Sequence, residues 1–182
     1  MGPPGAAVAV LSDGEILRRL RRGQLGIEPF VEEHLTPNGY DLTIGEIQLA
    51  RGAPATSGGV VVPPGGWFAV ATAERVRLPR DLTGELWLRS SHIRKGLVTA
   101  FGRVDAGFEG SLTLTGFNAG ADALRFSVGD RYCQIVFAEL GAPAEKPYAA
   151  RSGGYQGQRG ITLERFGGGK ATRGGKKGGK RR

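Results

Sequence analysis

The chain has a single cysteine, Cys133, two histidines, His34 and His92, and two asparagines among 182 residues. One cysteine excludes an intramolecular disulfide and any multi-cysteine metal centre, and points to an intracellular setting. Two histidines are too few for a His-rich zinc site. No apolar run approaches the roughly 20 residues that span a bilayer. The opening MGPPGAAVAVL has no basic segment ahead of its short apolar run, as a secretory leader would. A cytoplasmic protein is expected. Long helical patterns are also scarce.

What the chain does have is glycine, 32 residues, and ten prolines. That abundance, with many short alternating segments, predicts a mainly β fold with tight turns. The length suits one domain with a proper core. The formal charge of +8 belongs mostly to one end. Seven of the 25 basic residues follow Phe166, in GGGKATRGGKKGGKRR, leaving 18 basic against 17 acidic in the body. The body is therefore close to neutral, and the tail is either a solubilising extension or a contact for nucleic acid.

Residues 1–10 read as a flexible extension. Ser12-Asp13-Gly14-Glu15 is a capping box opening a helix with Ile16, Leu17 and Leu20 on its apolar face; Gly23 can end it. The arginines at 18, 19, 21 and 22 read as a solvated face. Pro37-Asn38-Gly39 marks a turn before an alternating strand containing Tyr40, Leu42 and Ile44. Further strands are expected at Val60–Val62, Trp67–Thr72, Arg75–Leu78, Glu85–Leu88, Ser111–Phe117, Leu124–Val128 and Tyr132–Phe137. Cys133 shares a strand face with Ile135 and Phe137, as a small core residue would. The Gly-rich segment from Gly153, with Tyr155, Gln156, Gln158 and Arg159, is suited to ordering over a ligand.

Two places can carry chemistry. Arg89, Ser90, Ser91 and Arg94 place two guanidiniums and two hydroxyls within six residues, enough to hold phosphate oxygens. The same pattern also suits a structural surface role. Asp105 stands in a turn bounded by Gly102 and Gly110. It can orient a water for attack at phosphorus, or it can simply cap its own turn. Asp41 reads as structural, and neither histidine has a partner at metal-ligand spacing.

Over about residues 11–166 the chain resembles the dCTP deaminase and trimeric dUTPase superfamily, most closely a deaminase-type, archaeal-like dUTPase. The resemblance rests on LSDGEI, PNGYDLTIG, LWLRSSHIRKGL, GRVDAGFEGSLTL, VGDRYCQIVF and GGYQGQRGIT, in the family's order. It implies a distorted β-barrel or jelly roll (a dUTPase-like β-clip) with a short N-terminal helix. The β domain would span 11–152, a lid 153–166 and a disordered basic tail 167–182. It implies a homotrimer with active sites at subunit interfaces, and magnesium carried by the nucleoside triphosphate. Arg89, Ser90, Ser91, Arg94 and Gln158 would then bind phosphate. Gly102, Arg103, Val104, Asp105, Phe108 and Tyr155 would receive the nucleoside, with Asp105 catalytic.

One departure ranks the activities. In the deaminases the strand after the hairpin resembles ITLEF, whose glutamate shuttles protons; ten residues beyond Asp105 this chain has Thr115. A hydroxyl is not a general base near neutral pH. Glu109 is expected in the turn, off that strand. The ranking is hydrolysis of dUTP to dUMP and pyrophosphate first, and dCTP deamination, alone or with dUTP hydrolysis, second. A non-catalytic nucleotide- or nucleic-acid-binding barrel is third.

Overall fold

A computed structural model describes residues 9–50 and 52–164. In chain order it contains α1 (Asp13–Arg21), β1 (Gly26–Glu28), a 3-10 turn (Glu32–His34), β2 (Leu35–Thr36), β3 (Gly39–Leu49) and β4 (Gly59–Val62). Then come β5 (Trp67–Thr72), β6 (Arg75–Arg77), β7 (Leu82–Leu88), α2 (Ser90–Ile93), β8 (Leu97–Val98) and β9 (Arg103–Val104). β10 (Glu109–Gly110), β11 (Thr113–Asn118), β12 (Leu124–Ser127), β13 (Arg131–Glu139) and α3 (Tyr148–Arg151) complete it. The mainly β expectation holds. The basic tail lies outside the described residues.

The main sheet runs β8-β11-β5-β3-β13-β7-β9, with β2 on β3, and curls into a half-barrel. β3 makes the curl: Tyr40–Thr43 pair with β13, Ile44–Leu49 with β5, and the register shifts at Gly45. A side chain at Gly45 would strike the Ala73 backbone, so this crossing needs glycine. Two small sheets, β1-β6-β10 and β12-β4, cover the flanks. Leu42, Ile44 and Ile47 pack with Phe68, Val70, Ile135 and Phe137 as one core. Cys133 belongs to it, and burial pushes its thiol pKa up, as befits a packing residue.

The ends of the β domain differ from expectation. Residues 9 and 10 are tied down: Val10 bridges Ala138, and the Ala9 carbonyl accepts Glu139 N at 2.9 Å. Ser12 caps α1 by accepting Glu15 N at 3.4 Å. Glu15 does not return the bond, because Arg18 and Arg19 take its carboxylate. Arg19 is not part of a solvated face. Its side chain is 12% exposed and reaches Glu15 at 3.1 Å, Asp81 at 2.8 Å and Glu139 at 2.6 Å. One guanidinium thus fastens α1 to the loop before β7 and to the end of β13. Removing one member of such a cluster strands the others, which can partly rehydrate here. Arg19→Met should therefore cost about 1–2 kcal/mol in urea unfolding. Arg18→Met, whose side chain is 56% exposed, should stay within about 0.5 kcal/mol.

A second buried charge lies between β5 and β6. Glu74 is 1% exposed and accepts Thr43 N at 2.9 Å and Thr43 Oγ1 at 2.8 Å. The side chain of His34 stands at 4.0 Å, and Tyr40 and Cys133 lie within electrostatic reach. Desolvation raises the Glu74 pKa, outweighing the Thr43 bonds. A carboxyl raised on folding stabilises fully below its unfolded value, and that contribution is lost as pH rises through the folded value. The stability of Glu74→Gln relative to the unmutated protein should therefore rise between pH 4.5 and pH 8, read from urea midpoints.

Candidate active site

Instead of the expected hairpin, a turn joins β9, which pairs with β7, to β10, which pairs with β6 in another sheet, and it carries Asp105 at its tip. Gly107 (φ +83°) turns the chain there, and Pro147 packs so closely that no side chain fits at that position. Phe108 N donates to the Asp105 carbonyl at 3.1 Å, closing the turn through backbone. Among the described residues no group is hydrogen-bonded or ion-paired to the Asp105 carboxylate. The turn is thus closed without its side chain, which removes the capping explanation.

Beside this turn lies a cavity of about 420 Å³, a size that suits a nucleoside. Gly102, Arg103, Val104, Asp105 and Phe108 form one wall, and Leu112 to Thr115 of the β11 region form another. Tyr148, Tyr155, Gln158, Thr162 and Leu163 line the remainder. All six residues expected to meet the nucleoside are therefore brought together with Thr115. Val104 and Phe108 are buried, whereas Asp105 is exposed. Asp105 is the only carboxylate on the described lining. Arg103 is paired with Glu85 at 2.9 Å.

The C-terminal segment is seated on this wall. Thr162 N donates to Thr113 Oγ1 at 2.9 Å, Ile161 N to Glu46 Oε2 at 3.1 Å, and Gly157 N to the Glu109 carbonyl at 2.7 Å. Gln158 is buried, and its Nε2 donates to the Ser111 carbonyl at 2.6 Å. Its donor group is therefore committed to the backbone between β10 and β11. Gly110 permits this approach, since a side chain there would press on the Gln158 backbone. Glu109 lies in β10 rather than in the turn; Arg75 holds its carboxylate at 3.0 Å, off the cavity wall.

Position 115 is fixed by its backbone. The Thr115 carbonyl accepts Thr99 Oγ1 at 2.6 Å and the Tyr132 hydroxyl at 3.2 Å. Burial raises the Tyr132 pKa, so this hydroxyl stays protonated and donating.

Arg89, Ser90, Ser91 and Arg94 stand apart. Ser90 and Ser91 open α2, and none of the four lines the cavity of its own chain. Arg89 Nε meets the buried Asp41 carboxylate at 3.1 Å, with Arg131 at 3.6 Å. This makes Asp41 a structural anchor for the arginines. His92 Nε2 lies 3.0 Å from the Arg131 carbonyl, and desolvation lowers its pKa. Among the described residues no three His, Cys, Asp or Glu side chains converge as a metal site.

Tyr148 and Thr113 have no counterpart in the sequence expectations. Tyr148 sits on a four-residue helix, too short for periodicity to reveal; an aromatic directly after Pro147 is the only local signal. Thr113 reads as an ordinary alternating strand residue until the C-terminal segment is placed against it.

The dCTP deaminase-like family model matches residues 48–140. A dCTP deaminase of Thermococcus kodakarensis is 42% identical over 147 residues, 79% of this chain and 93% of the relative. One of Pyrococcus furiosus is 38% identical over 147 residues, 79% of this chain and 92% of the relative. A "dCTP deaminase, dUMP-forming" of Persephonella marina is 34% identical over 177 residues, 86% of this chain and 97% of the relative. Among solved structures, the 2'-deoxycytidine 5'-triphosphate deaminase of Agrobacterium tumefaciens aligns at TM-score 0.63 and 21% identity. That alignment covers 73% of this chain and about half (48%) of that one. A mutant dUTPase from a phage of S. aureus aligns at TM-score 0.50 and 22% identity, over 67% of this chain and 94% of its own. The two structures share the fold seen here, and with relatives of this identity and coverage the chain belongs to the dCTP deaminase-like family.

Proposed function

We propose that this chain is a pyrimidine deoxynucleoside triphosphate hydrolase whose reaction is the deamination of dCTP to dUTP and ammonia. The observation that carries the reading is a nucleoside-sized cavity with one carboxylate, Asp105, in a chain 42% identical to a protein named dCTP deaminase. The ranking drawn from Thr115 alone placed dUTP hydrolysis first; the names of relatives at 34–42% identity favour the reverse order. In this reading Asp105 holds a water, takes one of its protons as the oxygen attacks C4 of cytosine and passes it to N3; the second proton moves from the new hydroxyl to the amine, which leaves as ammonia. Leu112, Leu114, Val104 and Phe108 give the base an apolar wall.

A second reading, hydrolysis of dUTP to dUMP and pyrophosphate, is favoured by Thr115. With a hydroxyl where a proton shuttle is expected, the cavity holds one carboxylate, sufficient to orient water at the α-phosphorus. The "dUMP-forming" name of the Persephonella relative joins the two reactions. Both use the same cavity. Purified protein given dCTP and dUTP separately, with ammonia and pyrophosphate both measured, decides between them. Ammonia from dCTP supports the first reading. Pyrophosphate from dUTP without ammonia from dCTP replaces it with the second.

In either reading Arg89, Ser90, Ser91 and Arg94 reach the triphosphate from another copy of the chain, since they lie off their own chain's cavity. A homotrimer is the assembly in this reading. Its support is the exposed apolar surface of Trp87, Ile93 and Val98 around a 770 Å³ groove. Magnesium arrives bound to the triphosphate and offsets its charge.

A further inference from the structure

Tyr148 touches both the Asp105 turn and the C-terminal segment of the site. Its ring packs edge-on against Phe108, centroids 5.4 Å apart at 76°. Its backbone N donates to the Ala106 carbonyl at 2.8 Å, directly beside Asp105. Its hydroxyl accepts Tyr155 N at 3.1 Å, at the start of the segment that lies along the cavity. The Tyr148 carbonyl in turn accepts Ser152 N at 3.0 Å and Gly153 N at 2.8 Å, so the chain reverses around this residue before reaching Tyr155. The same side chain lines the main cavity and a neighbouring one of about 480 Å³, with Asp105 and Arg103 shared by both.

We infer that Tyr148 is a positioning residue that couples seating of the 153–164 segment to placement of the Asp105 turn. The inference rests on the cavity being the catalytic one, as proposed above. The two ends of the side chain have separable tasks. The ring braces Phe108 and hence the turn that presents the carboxylate. The hydroxyl, by accepting Tyr155 N, latches the segment carrying Tyr155 and Gln158. A single latch bond is a modest interaction, so its loss shifts how often the segment is seated without unfolding the domain.

Tyr148→Phe removes the latch and keeps the brace; Tyr148→Leu removes both. For Tyr148→Phe, KM for the turned-over nucleotide should rise about fivefold with kcat changed less than about twofold. For Tyr148→Leu, kcat should also fall, by about tenfold or more. A readout that needs no substrate accompanies these. Arg159 is exposed within the segment, and trypsin cleavage after it, followed by mass spectrometry of the 1–159 fragment, reports release. Tyr148→Phe should speed that cleavage about fivefold, at an unchanged thermal midpoint. Cleavage within about twofold of the unmutated rate overturns the latch, as does an unchanged KM. If neither dCTP nor dUTP is turned over by the unmutated protein, the catalytic reading fails, while the proteolysis arm still decides the latch.

Discussion

On the proposed reading Asp105→Ala should lower turnover of dCTP, and of dUTP if that is hydrolysed, by about 10³-fold, a far larger effect than on nucleotide binding. The expectation follows from geometry. The carboxylate lies on the cavity lining, is exposed, and is engaged by no described hydrogen bond or ion pair. Its turn is closed by the Phe108 N bond to the Asp105 carbonyl, which alanine preserves. Loss of the side chain therefore leaves the turn in place and removes the carboxylate proposed to activate water. Steady-state kinetics with separate ammonia and pyrophosphate assays, beside equilibrium titration of the nucleotide, provide the check. A fall of less than about tenfold would assign water activation elsewhere.

The second large effect is expected as a gain. Thr115→Glu should raise ammonia release from dCTP by about 10²-fold, because a glutamate can carry protons that a hydroxyl cannot. Leu86, Leu112 and Leu114 share that lining, and such surroundings lift a carboxyl toward the neutral range. The backbone is prepared for the exchange, since Thr99 and Tyr132 hold the residue's carbonyl and leave its side chain out of the bonding. Thr115→Gln, equal in size and unable to ionise, should show no gain. If glutamate and glutamine behave alike, position 115 is not where the proton relay is completed. The two variants also bear on the order of the two proposed reactions: a large gain would mean that deamination in the unmutated protein runs without its best shuttle.

Much of the fold and half of the site are legible in the sequence itself. The strands around Tyr40–Ile44 and Cys133–Phe137 follow from apolar residues at every second position, and the turns between them from Gly and Pro. The turn residues Gly102 to Phe108 are legible because they are contiguous, although the strands flanking them belong to different sheets. What stays hidden depends on distant partners. Arg19 looks like any solvated helix arginine until Asp81 and Glu139 are brought to it. Glu74 gives no local sign of burial, because its partner Thr43 lies 31 positions away. Tyr148 gains meaning only when Phe108 and Tyr155 arrive from either side. Its own four-residue helix is too short to announce a face.

Gly116 separates Thr115 from Phe117 on β11, and a Cβ there would come within 2.6–2.8 Å of Phe68 and the Tyr132 hydroxyl. Those aromatics stand on β5 and β13 and are buried at 0% and 1% exposure, so a side chain at 116 would force them to repack within the core. For a lineage exploring new chemistry at this cavity, the consequence is a one-lane road. Residue 116 is tightly constrained, while residue 115, one peptide away, keeps its main chain clamped and its side chain replaceable. Changes in the chemistry proposed for this cavity can therefore accumulate at a single codon, without renegotiating the wall behind it.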